Sequence, residues 1–127
     1  MAQFSNNYDL EERTLRFSEG VIEFCKSTKQ DTINKPIISQ LVRSGTSIGA
    51  NYVEANAASS RKDFGNKIFI CKKEAQETRY WLKIIVKCNP ETKEKADILL
   101  KEVQELILIF QKITSTLRNK NNWKLNN

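Results

Sequence analysis

The spacing of apolar residues divides the chain into four long helical stretches. In the first, about residues 8–29, Leu10, Phe17, Val21 and Phe24 recur on one side of a helix. Asp9 stands where a cap is expected, and Glu11 and Glu12 fall in the favourable first turn. Gly20 inside this line costs about 1 kcal/mol relative to alanine and predicts close packing. Residues 28–35 read as a connection closed by Pro36, a residue suited to a first helical position. The second helix is expected over about 36–57, the third over 60–87 and the fourth over 90–118. In the third, Ser60 and Asp63 form a capping pattern. Phe64, Ile68, Cys71, Ala75, Thr78, Leu82 and Ile85 then follow at alternating steps of four and three, a single inward seam. The fourth is the most regular: Ala96, Leu99, Val103, Leu106, Phe110, Ile113 and Leu117 keep the same spacing. Leu100, Ile107 and Ile109 widen its stripe, so more than one neighbour must cover it. Short connections at 57–60 and at Asn89-Pro90 make successive helices antiparallel neighbours. The expected fold is all-α, an antiparallel up-down four-helix bundle in a single domain spanning 1–127. Residues 1–7 are expected to be loose and the polar tail 119–127 frayed, with Trp123 able to dock on a partner.

Charge sorts around the third helix when each residue is advanced by about 100°. Arg61, Lys62, Lys72, Lys73, Arg79, Lys83 and Lys87 share one sector, and Phe69 and Tyr80 lie within it. Asp63, Glu74 and Glu77 fall on another side, beside Ile70 and Trp81. The helix therefore has three faces: apolar, basic with two aromatics, and acidic with two apolar neighbours. The middle of the second helix, from Arg43 to Ala55, reads RSGTSIGANYVEA. Its small residues crowd one side, and Gly45 and Gly49, four apart, allow another backbone to approach closely. A phosphate-binding loop of the Walker kind needs Lys and Ser or Thr after the last glycine; here Ala50 and Asn51 follow Gly49, and that reading fails.

Composition narrows the function. A length of 127 residues suits one domain. An apolar content of 39% and a charged content of 28% are those of an ordinary folded domain. The net charge of +6 is unevenly spread. Basic residues number four against five acidic in 1–29, two against two in 30–59, eight against three in 60–89 and seven against five in 90–127. Most of the excess sits on one helix, which favours a polyanionic partner or an acidic neighbouring subunit. Cys25, Cys71 and Cys88 lack the spacing of a disulfide framework and are expected to be reduced thiols. No segment has signal-peptide character, and no apolar run approaches the roughly 18 residues of a membrane span. A cytoplasmic protein without membrane contact is expected.

The chain has no histidine. That removes the commonest general base, the commonest neutral metal ligand and every Ser-His or Cys-His arrangement. There is no CxxC pair, and Glu74 and Glu77 have the spacing of a carboxylate-bridged metal site without its histidine. These glutamates are expected to pair with Lys or Arg, within the helix or across a subunit contact. No enzyme activity, no cofactor and no metal is expected. Two features stand out. The basic face with Phe69 and Tyr80 could hold phosphates and stack on exposed bases, or it could be a solvated face with two aromatics half-buried in the bundle. The surplus of apolar and small surface, including Gly45, Gly49, Ile70 and Trp81, could support self-association, or could fill a thick core.

Three linked motifs carry a resemblance: Arg43 to Ala55; Ser60-Arg-Lys-Asp-Phe64; and Glu74 to Leu82, EAQETRYWL. In this order they resemble the bacterial four-helix bundle family of the protein encoded in intervening sequences of 23S ribosomal RNA genes. The resemblance implies a small non-enzymatic bundle that assembles as a homopentameric ring. The family includes the accessory protein of diversity-generating retroelements, a basic pentamer that binds nucleic acid and the reverse transcriptase. It implies no catalytic residues. Arg43, Glu54, Glu74, Glu77 and Arg79 are its signature positions and read as bundle or subunit contacts. The expected function is non-catalytic binding of RNA or DNA through the basic face, extended by Arg118, Lys120 and Lys124, without sequence readout. The alternative is a protein–protein adaptor or scaffold whose charges hold the oligomer together.

Overall fold

Helix ends in this chain are set by side chains that capture backbone groups. The computed structural model describes residues 9–126, with side chains through 119. It contains α1 (Leu10–Lys26), α2 (Asn34–Asn56), α3 (Arg61–Cys88) and α4 (Lys93–Asn126), with a 3-10 turn, Pro90–Thr92, before α4. The expected loose segment 1–7 and a start near Tyr8 lie outside the described residues, as do the side chains of Lys120, Trp123 and Lys124. Asp9 occupies the cap position of α1, but its carboxylate makes no capping hydrogen bond. The helix stops at Lys26, short of residue 29. There the Ser27 and Thr28 hydroxyls both donate to the Phe24 carbonyl, each at 2.8 Å, and offer the chain an alternative to another turn.

Asp31, not Pro36, sets the start of α2. Its Oδ1 accepts from the backbone N–H of Ile33 at 3.1 Å and of Asn34 at 2.8 Å. Pro36 is then the third residue of α2, and the Lys35 N–H just before it already donates to the Asp31 carbonyl at 2.9 Å. Ser60 caps α3 as expected, accepting from Asp63 N–H at 3.0 Å. α4 runs on to Asn126, with no glycine or proline after Pro90 to interrupt it.

The helices form an antiparallel four-membered ring in which α1 packs on α2, α2 on α3, and α3 on α4, with α4 closing sparsely on α1. Direction is visible in the pairings. Ser44 meets Thr78 while Glu54, further along α2, meets Lys67, earlier in α3. The seams predicted from spacing are the core. Phe17, Val21, Leu41, Ile48, Ile68, Cys71, Ala75, Leu82, Ile85, Val103, Leu106 and Phe110 are completely buried, while Phe64, Ile113 and Leu117 are partly buried. A β-carbon on Gly45 would lie 3.0 Å from both Val21 methyl carbons, and one on Gly49 would lie 3.1 Å from Thr14 Oγ1. The small-residue side of α2 is thus covered by α1 of the same chain.

Buried polar side chains also fasten helix to helix. Arg13 of α1 donates to both carboxylate oxygens of Glu102 in α4, at 2.7 and 2.9 Å, and to Glu105 at 2.8 Å. Asn34, opening α2, and Asn89, closing α3, exchange side-chain amide hydrogen bonds at 2.9 Å in both directions. The Thr78 hydroxyl donates to Ser44 Oγ at 2.9 Å across the α2–α3 seam. Among the described residues no helix is long and apolar enough to cross a membrane.

Candidate nucleic-acid interface

The side of α3 opposite its α2 contact carries the predicted cations. Its 28 residues, about 42 Å of helix, are long enough to display them in sequence along one edge. Arg61, Lys62, Lys73, Lys83 and Lys87 are exposed, and Lys72 and Arg79 are partly buried. The last two lean across to α4: Lys72 Nζ donates to Gln111 Oε1 at 2.7 Å, and the Arg79 guanidinium donates to Gln104. The basic face is therefore continuous with α4, through two neutral glutamines that leave its positive charge uncompensated. Phe69 is 52% exposed and Tyr80 56% exposed. The Lys72 ammonium sits 5.6 Å from the Phe69 ring centre, and Tyr80 meets Trp81 edge-on at 5.1 Å.

The structure divides these residues into two groups. At one end of the bundle, Arg61, Lys62, Asn66 and Phe69 of α3 and Thr114 and Arg118 of α4 surround a cleft of about 640 Å³. Gly65 lies at its base, where a β-carbon would be 3.5 Å from Leu117. Lys73, Tyr80, Lys83 and Lys87 lie outside it, further along α3. The periodicity of α3 showed its own cations; the contribution of Asn66 and Thr114 was not legible, because it depends on how α4 is placed beside α3.

The acidic flank of α3 is engaged inside the chain. Arg43 of α2 donates to Glu74 at 3.2 Å and also to Glu77, and the Trp81 indole N–H donates to Glu77 at 2.9 Å. The indole and the guanidinium hold the Glu77 carboxyl below the usual carboxylate range, and Glu77 in turn raises the Arg43 pKa. The signature residues Arg43, Glu74 and Glu77, with Trp81 beside them, thus form one α2–α3 bundle contact. Within the chain the partner of the two glutamates is Arg43 of the neighbouring helix α2. Glu54 likewise accepts from Lys67 of α3 at 2.5 Å.

On the far side of the bundle, α1 and α2 enclose an open groove of about 560 Å³. Leu15, Ile22 and Val53 are exposed along it, and Glu11, Glu12 and Glu19 stand at its edge. Cys25 and Cys71 are buried, which pushes their thiols up to about 11 and about 12, while Cys88 is exposed. Among the described residues no three metal-binding side chains come together.

Comparison with known proteins places these features in a family context. The family model described as 23S rRNA-intervening sequence protein matches residues 6–112. Among solved structures, a protein of unknown function from the S23 ribosomal protein family of Bacteroides thetaiotaomicron is 33% identical to this chain. The likeness covers 82% of this chain and 96% of that one, with a TM-score of 0.73. No curated protein matches.

Proposed function

This chain belongs to the 23S rRNA-intervening sequence protein family, and from that premise we propose that it is a non-catalytic, homo-oligomeric bundle that binds RNA or DNA. The oligomer in this reading is the homopentameric ring that the resemblance implies, and a reverse transcriptase is the protein partner it suggests. One observation carries the proposal: a strip of cations on α3 continues onto α4 with two exposed aromatic rings among them, and among the described residues none of the strip's cations has a carboxylate within ion-pair distance. Phosphates are held by such cations without regard to sequence, and the release of counterions makes the affinity fall with salt.

The test is fluorescence anisotropy with labelled single-stranded RNA, duplex RNA and duplex DNA over a salt series. A linear fall of log affinity against log salt, with a slope of several phosphate contacts, is expected. Changing Lys62, Lys73 and Lys83 together to Gln should reduce that slope by about 2–3. Absence of binding at low salt would sink the proposal.

A second reading, a protein–protein adaptor or scaffold, is favoured by the acid-edged apolar groove between α1 and α2. It is complementary in charge to the basic face of a second copy. Light scattering of the same triple variant separates the two readings. Loss of polyanion binding by an intact oligomer supports the first, and dissociation supports the second.

A further inference from the structure

Some cations on this molecule are tied to carboxylates and others are not. Arg13, Arg43 and Lys67 are tied to carboxylates of neighbouring helices. Arg61, Lys62 and Arg118 are exposed, and none of them has a carboxylate within ion-pair distance among the described residues. These three surround a concavity, whereas Lys73, Lys83 and Lys87 lie outside it along α3. Like charges gathered around a cleft repel one another, and an anion seated between them relieves that repulsion.

Phe69 forms part of the same wall. It stands seven residues after Lys62, two helical turns on the same side and about 10 Å further along the axis. A half-exposed phenyl ring with Arg61 and Lys62 toward the helix start, the Lys72 ammonium over one face at 5.6 Å and Asn66 lining the same cleft offers its other face as a stacking surface flanked by charge and a hydrogen-bonding group. Tyr80 differs, because it packs against Trp81 and lies outside the cleft. In a duplex every base is already stacked and paired, so its outer surface presents phosphates but no free base face. Only an unpaired nucleotide can use the cations and the ring together.

We propose that the cleft between the start of α3 and the end of α4 binds an unpaired stretch of RNA or DNA, one base stacking on Phe69 while Arg61, Lys62 and Arg118 hold the adjoining phosphates. This rests on the nucleic-acid reading above and adds to it the strandedness of the ligand and the place where it is sensed. The exposed lysines further along α3 then serve as a track for backbone of either kind.

The full-length chain is titrated with labelled oligouridine and with a labelled RNA duplex of the same length. Phe69→Ala and Phe69→Trp are compared with the parent chain, and circular dichroism checks that each is folded. The parent should prefer the single strand. Phe69→Ala should weaken single-strand binding about tenfold, the loss of one stacked base, and leave duplex binding unchanged, while Phe69→Trp should retain the preference. If the parent binds neither ligand, the parent reading falls and this inference with it. If the parent binds but shows no single-strand preference, or a preference that Phe69→Ala leaves untouched, this inference alone falls.

Discussion

Arg13 shows how much one residue can decide. Its side chain is 2% exposed and its partner Glu102 is 4% exposed, so two full charges are held away from water. Hydrogen bonds to Glu102 first, and then to Glu105, raise the guanidinium pKa further. Removing one member of such a pair leaves the other buried and uncompensated, which costs about 3–5 kcal/mol. Arg13→Met should therefore lower stability by about that amount in urea unfolding. Arg13→Met combined with Glu102→Leu should recover most of the loss, because the orphaned charge is gone. Equal losses for the single and double variants would contradict this account. The sequence held a trace of the pair. The inward line of α1 steps from Leu10 straight to Phe17, and the vacancy between them is where Arg13 and Thr14 sit. What it did not hold was the partner, because Glu102 is 89 positions away and looks like any other acid on α4.

Among the helices, periodicity was the reliable guide. The inward seam of α3 from Ile68 to Ile85 is buried at every predicted position, since a rigid 3.6-residue turn leaves no freedom about which side faces inward. Helix ends were less legible. Asp31 capping α2 and the Ser27 and Thr28 hydroxyls ending α1 act through hydrogen bonds that several nearby polar residues could equally have made. Glycines sort the helices further. At Gly65 a β-carbon would meet only Leu117, at an ordinary 3.5 Å, so Gly65→Ala should stabilise the protein by about 1 kcal/mol through reduced backbone freedom. At Gly45 the same methyl meets both Val21 methyl carbons at 3.0 Å, and overpacking of about 1–3 kcal/mol outweighs that gain. Thermal unfolding should show Gly65→Ala melting above the parent and Gly45→Ala below it. The reverse order would mean that α1 does not press on α2 as described.

At the scale of the whole molecule, Gly45 and Gly49 of α2 are covered by α1, and the acidic flank of α3 is engaged at the surface by Arg43. The sequence could count these groups but could not say which neighbour reached them first. What remains outward is polarised, with cations on α3 and α4 and acids around the α1–α2 groove. The two ends of the bundle also differ. The reciprocal amide pair of Asn34 and Asn89 binds the start of α2 to the end of α3 at one end. The cleft around Phe69 opens at the other, where α3 begins and α4 carries on. In mechanical terms the molecule is a clothes-peg, sprung at the asparagines and jawed at the cleft. Thermal motion should splay the jaws while the spring holds, so backbone amides at 64–68 should exchange with deuterium faster than those at 82–86. Asn34→Ala removes the tie at the asparagine end and should bring the exchange rates of the two stretches together.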